Sequence, residues 1–238
     1  MLRGINKQTI FEDDVDRLRL LDTIKNCKER GQIRVYGYCL MDNHIHLLLR
    51  EHEEEPVSKF IQRLSASYVS WYNSKYERCG HLFQERFKSE NVENLPKFLK
   101  VLRYIHQNPI KAGLAKDVFS CKWTSLHEYY VKNPSIVDTD LTLQLFSLKR
   151  TEAIQYFSDY MNKRNDDEYL DDYNQTRISD YEVINYVKGL GLDCSTLQHL
   201  EREKRNNILL TLKQLNGVTI RQLSRVTGIS KSVIDRIK

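Results

Sequence analysis

The sequence predicts an α+β fold followed by an all-α region, and three observations carry that reading. Residues 33–40, rich in β-branched and aromatic side chains, turn through Met41-Asp42-Asn43 into a second apolar run over residues 44–50, the pattern of a β-hairpin. Helical periodicities stand on both sides of that hairpin. Beyond residue 140 only helical patterns remain.

Taken in order, residues 1–11 are polar and read as the tail of a strand entering a loop. Asp13 and Asp14 precede an amphipathic helix with Val15, Leu18, Leu21 and Ile24 on one side, fading near Gly31. Pro56 opens a second helix, in which Val57, Phe60, Ile61, Leu64, Tyr68, Trp71 and Tyr72 recur at helical spacing and Gly80 ends the run. That aromatic stripe is core rather than a stacking platform. Residues 82–92 alternate as a strand and carry Arg86 and Lys88.

Asn94 caps a third helix, with Pro96 tolerated in its first turn. Its apolar stripe is Leu95, Phe98, Leu99, Leu102 and Ile105, and Pro109 is expected to end it. On a helical wheel Tyr104 falls off that stripe, and Asn108 sits at the i+4 position. The order strand stub, helix, strand, strand, helix, strand, helix is the split β-α-β pattern of a ferredoxin-like antiparallel sheet with helices. Its first strand is truncated.

Three segments follow from this reading: a catalytic domain over 1–135, a helical linker region over 136–200, and a helix-turn-helix-like DNA-binding segment over 201–238. Within them, 141–162 reads as helix and the acidic stretch 165–172 as a linker. Helices are expected over 180–188, from Ser195 onward, and over 206–215. Gly228 permits a turn between two final helices, with Ile229 and Val233 packing back on Leu223. Ser230, Lys231 and Arg236 then open a helix suited to a DNA groove. An ordinary helical hairpin fits the same spacing.

Composition narrows the function classes. The net charge of +5 suits a nucleic-acid binder without demonstrating one. Five scattered cysteines with no Cys-x-x-Cys pair speak against a disulfide framework or a zinc ribbon. No apolar run approaches a membrane span and no signal-peptide core is present, so a cytoplasmic, nucleoid-associated protein without a membrane partner is expected.

The chemistry concentrates in His44-Ile45-His46. On a strand both imidazoles point to one face, where two nitrogens suit one divalent metal with coordination positions left open. Half-buried sheet histidines satisfied by carbonyls fit the spacing equally. About sixty residues on stands Tyr104, with Asn108 one helical turn behind it.

Several blocks together resemble the single-tyrosine HUH transposases, in particular the REP-associated tyrosine transposases. They are Arg3-Gly4 with Ile10-Phe11, residues 38–49 around the two histidines, residues 80–89, residues 104–114 around Tyr104, and Trp123-Thr124-Ser125. The resemblance implies that His44, His46 and Asn108 hold Mg²⁺ or Mn²⁺, with Gln107 the less apt ligand, and that Tyr104 is the nucleophile. It implies nicking and rejoining of single-stranded or hairpin DNA through a 5′-phosphotyrosine, by a monomer or a homodimer.

A tyrosine hydroxyl, with a reference pKa near ~10, needs help to attack at neutral pH. Arg86, Lys88, Arg103 and Lys111 are candidate phosphate contacts, with solvated surface charges as the alternative. A catalytically degenerate or domesticated hairpin binder is the rival reading, and a metal-dependent hydrolase another. Two departures stand out. Asp42 replaces the family's usual turn proline, which aspartate tolerates. Only Met1 and Leu2 remain of the strand that precedes Arg-Gly in the family. Its loss is expected to expose unpaired backbone, unless the start is misassigned, the copy is decayed, or a neighbouring segment fills the gap.

Overall fold

In a computed structural model, which describes residues 1–84, 86–164 and 178–237, the expected hairpin forms. The sheet contains β1 (Leu2–Arg3), β2 (Arg34–Met41) and β3 (His44–Arg50), antiparallel in the order β1-β3-β2. Leu2 lies opposite Ile45 and Arg3 opposite His44. On the other side of β3, Cys39 lies opposite His46 and Met41 opposite His44. The outer edge of β2 is closed by a later segment, since the Leu40 amide donates to the Trp123 carbonyl (2.9 Å) and the Tyr38 amide to the Ser125 hydroxyl (2.9 Å).

The strand expected over 82–92 is corrected. The chain there lies along β1, with Ile5 and Gln84 amides donating to Leu82 and Arg3 carbonyls, and Met1 and Lys88 exchanging a bond in each direction. No regular strand results among the described residues. The two-residue β1 is too short to template one, since a ladder needs paired residues on both chains.

α1 (Asp14–Gly31) begins with a capping box between Asp13 and Asp16. Its buried face is Leu20, Ile24 and Cys27, whereas Val15 and Leu18 are each 56% exposed. The expected face is therefore rotated. Asp16 is fully buried, bonded by Lys75 Nζ (2.7 Å) and the Tyr76 hydroxyl, and this inward carboxylate sets the helix orientation. α2 (Val57–Lys75) buries Phe60, Ile61, Leu64, Tyr68 and Tyr72 as expected, but ends at Lys75, ahead of Gly80. The chain then crosses a loop in which the Gly80 carbonyl is bonded by Asn73 (2.9 Å).

α3 (Leu95–Lys111) is capped by Asn94 through the Lys97 amide (2.9 Å) and continues past Pro109. The missing proline N–H costs one intrahelical bond, and bonding resumes at Ala112, which donates to Asn108 (3.0 Å). Gly37 makes room for this helix: a Cβ there would lie 2.7 Å from Leu102 Cδ1.

α4 (Asp140–Gln144) and α5 (Arg150–Asn162) replace the single helix expected over 141–162. The Ser147 hydroxyl accepts from the Lys149 amide (3.1 Å) and donates to Glu152 (3.0 Å), a local pattern that competes with helix. Tyr129 stacks on Phe157 of α5 with centroids 4.4 Å apart and donates to the Tyr36 carbonyl (2.6 Å). Buried Glu128 accepts from Tyr38 and from the amides of Ile136 and Val137.

These bonds tie 125–162 to the sheet. The compact units are accordingly Met1–Ile5 with Phe11–Tyr173, and Asn6–Ile10 with Asn174–Lys238. Neither division falls at the expected 135/136 or 200/201, because side chains beyond residue 135 complete the first core and α6 joins the second. The linker expected over 165–172 lies outside the described residues.

The second unit contains α6 (Asp180–Gly189), α7 (Arg202–Gln214), α8 (Ile220–Thr227) and α9 (Lys231–Arg236). Where a helix was expected from Ser195, a single 3-10 turn spans Thr196–His199. Its core includes Val183, Val187, Leu209, Leu212, Leu223 and Ile234. Gly228, at φ 70°, makes the turn between α8 and α9. Ile229 packs inward as expected, but Val233 is 38% exposed and Ile234 takes its place, because α9 starts at Lys231 and turns position 234 toward the core. Asp180 holds Arg225 through two bonds (2.8 and 2.6 Å) and also accepts from Gln222. No helix of the described residues is long and apolar enough to cross a membrane.

Candidate active site

The tight turn at Asp42-Asn43 aims the two histidines of β3. Asp42 pairs with Arg17 (2.6 Å), whose guanidinium also lies over the rings of Phe11 and Trp123, so the aspartate in the turn is held by charge where a proline would act through its ring. His44 and His46 fall on one face with ring centroids 4.9 Å apart and planes at 81°.

Asn43, which the sequence reading did not single out, accepts from the His44 ring: Oδ1 lies 2.6 Å from Nδ1. A carboxamide oxygen only accepts, so the ring proton sits on Nδ1 and Nε2 carries the lone pair. Burial, then the positive charges of His46, Arg3 and the N-terminus, push the His44 pKa down to about 2. The imidazole is therefore neutral at physiological pH, the form that ligates a metal. An asparagine directly preceding a histidine at the mouth of a hairpin was the available signal.

α3 brings Tyr104 to the same place. Its ring meets that of His46 edge to face, with centroids 6.0 Å apart and planes at 86°. The residue is 1% exposed, which corrects the expectation that it turns away from packing. α3 is covered on more than one side, with β2 and β3 against one face and α5 against another. Asn108 is buried one turn on, its side-chain amide donating to the Tyr104 carbonyl (3.1 Å). Lys111 places Nζ 4.8 Å from the Tyr104 ring centroid.

Gln107 is directed elsewhere. Its amide donates to the carbonyls of Met161 (2.7 Å) and Lys163 (2.8 Å), closing the end of α5. His106 is buried and bonded to the Ser125 hydroxyl (2.8 Å), and burial lowers its pKa to about 3.

Among the expected phosphate contacts, Arg103 stacks on Tyr160, with Cζ 4.5 Å from the ring centroid, while Arg86 and Lys88 are exposed along the 82–92 segment. Ser230, Lys231 and Arg236 are exposed at and on α9 of the second unit. The described residues contain no group of three His, Cys, Asp or Glu side chains able to share a metal. The donor set available at β3 is two imidazoles, which fits a divalent ion bound through two nitrogens and completed by amide, water or phosphate oxygens.

Comparison with known proteins locates this domain. No curated protein matches the chain. Among solved structures, it is similar to a REP-associated tyrosine transposase bound to a REP hairpin, at 17% identity and a TM-score of 0.45, over 54% of this chain and 77% of that one. The sequence model of the IS200-like transposases matches residues 1–108, the stretch that holds β1 to β3, both histidines, Tyr104 and Asn108. The N-terminal part of the chain, residues 1–108, belongs to the IS200-like transposase family.

Proposed function

We propose that the chain nicks and rejoins single-stranded DNA beside hairpins, with Tyr104 as the nucleophile. The observation that carries this is the meeting of the Tyr104 and His46 rings, 6.0 Å apart, next to His44. In this reading the Tyr104 oxygen attacks the scissile phosphorus and the 3′ oxygen leaves. The products are a 5′-phosphotyrosine and a free 3′-hydroxyl. Attack by that hydroxyl, or by one from another strand, reverses the step, and one phosphodiester replaces another with no nucleotide triphosphate consumed.

His44 and His46 would hold Mg²⁺ or Mn²⁺ through their Nε2 atoms, and Asn108 would add its amide oxygen. Such an ion supplies charge stabilisation at the phosphate oxygens. Asn43 fixes the His44 tautomer. Lys111, beside the Tyr104 ring, favours the ionised phenol by its positive charge. Lys88 and Arg86 on the 82–92 segment would meet backbone phosphates, and Ser230, Lys231 and Arg236 would contact DNA through the second unit. Monomer and homodimer both accommodate this arrangement.

The near-complete burial of Tyr104 favours a second reading, a relative that binds hairpin DNA without cutting it. A labelled hairpin oligonucleotide with single-stranded flanks, incubated with Mg²⁺ or Mn²⁺, separates the readings. Transfer of label to protein, abolished in Tyr104→Phe, is expected. A mobility shift with no adduct supports the binder. Cleavage that survives Tyr104→Phe, using water in place of the phenol, overturns the nucleophile assignment.

A further inference from the structure

Beyond the end of β1 the sheet has a gap one strand wide. β1 covers β3 only at His44 and Ile45. Because His44 and His46 face β2 in the ladder, the intervening Ile45, Leu47 and Leu49 present their N–H and C=O groups to the opposite edge. For Leu47 and Leu49 no backbone partner stands there among the described residues. Across the gap, residues 89–92 make no backbone–backbone hydrogen bond either.

Between these walls lies a groove of about 520 Å³, floored by Val57 and Ile61 of α2 and by Val101, Tyr104 and Ile105 of α3. Met1 stands at its mouth, its nitrogen already donating to the Lys88 carbonyl (2.7 Å) as a strand amide would.

We propose that this groove is a strand socket, filled by three to five residues of extended polypeptide joined to the Met1 nitrogen and completing the sheet between β3 and residues 89–92. The register dictates the pairing. With Leu2 opposite Ile45 and Arg3 opposite His44, the first residue before Met1 falls opposite Leu47 and the third opposite Leu49. Side chains alternate, so the first and third positions face Val57 and Ile61, and the second faces Val101 and Tyr104. Apolar residues suit all three. A nucleic-acid strand fits poorly, because two rows of peptide donors and acceptors bracket an apolar floor. This inference stands apart from the cutting chemistry.

The test compares three forms of the full chain: as it stands, with a Val-Val-Val extension before Met1, and with Pro-Val-Pro at the same positions. Hydrogen exchange of the Leu47 and Leu49 amides is read with the melting temperature. The valine extension is expected to slow both amides at least tenfold and to raise the melting temperature, and the proline version to leave the amides fast. Equal exchange in all three forms overturns the proposal. So does protection in the unextended chain that grows with protein concentration, which assigns the socket to a second copy. Protection conferred on the unextended chain by a single-stranded oligonucleotide also overturns it, in favour of DNA.

Discussion

The edge of the Tyr104 ring meets the His46 ring at 86°, with 6.0 Å between centroids. Tyr104→Phe keeps that ring contact and removes one oxygen, so the fold and the chemistry are separable. Stability is expected to change by about 1 kcal/mol, the scale of one hydrogen bond. Label transfer from the hairpin substrate is expected to fall to the level of a protein-free control. Urea unfolding and denaturing gels read the two outcomes.

Asn43→Ala removes the acceptor that holds the His44 proton on Nδ1. Loss of such a supporting partner typically weakens metal binding about ten- to a hundredfold. Titration of Mn²⁺ into the protein, followed calorimetrically, is expected to show that shift, with label transfer restored at raised Mn²⁺. Unchanged affinity counts against ligation through Nε2 of His44.

His106 sets a pH dependence of stability. Its folded pKa, about 3, lies below the ordinary value of 6.5 because it is buried. Between those values the unfolded chain binds the proton and the folded chain does not, so stability is lost as the pH falls below about 6.5. The expected slope approaches 1.4 kcal/mol per pH unit from this group. Urea unfolding in chelator at pH 5 and 7.5 measures it, and His106→Gln, which keeps an amide for Ser125, is expected to flatten the slope.

Asp180 accepts three bonds from Arg225 and Gln222 and so ties α6 to α8. Arg225 is 42% exposed, so solvent screening trims the pair's worth. Asp180→Ala is expected to destabilise the second unit by about 1–3 kcal/mol, largely through donors left unpaired. Lys231→Ala and Arg236→Ala, which lie on the surface, are expected to leave melting unchanged. Each is expected to lower the salt slope of DNA binding by about 1.

Much of this architecture was legible because local chemistry and burial agree. The hairpin, the caps of Asp13 and Asn94, the α2 stripe and the glycine turn before α9 each follow from residues within a few positions. The misreadings share a different cause. Asp16 is a carboxylate pulled into the core by Lys75 and Tyr76, some sixty residues away, so a hydrophobic wheel misplaces the buried face of α1. Tyr104 looks displaced from its helix's stripe until α5, fifty residues later, supplies a second wall. The 82–92 segment has the alternation of a strand but too short a partner to become one. At the site, the two histidines and Tyr104 could be named from type and order. The role of Asn43 needed coordinates, because a single turn residue carries no periodic signal.

Asn43 does two jobs at once. Its carbonyl receives the Gly4 amide (2.8 Å) at the inner end of β1, and its side chain steadies His44. Whatever tugs on the amino-terminal segment is therefore felt at the imidazole one residue away. A looser first strand leaves that ring free to swivel, while a firmly anchored one sets it like a bolt, making the mechanical tension of a single peptide unit a dial on catalytic alignment.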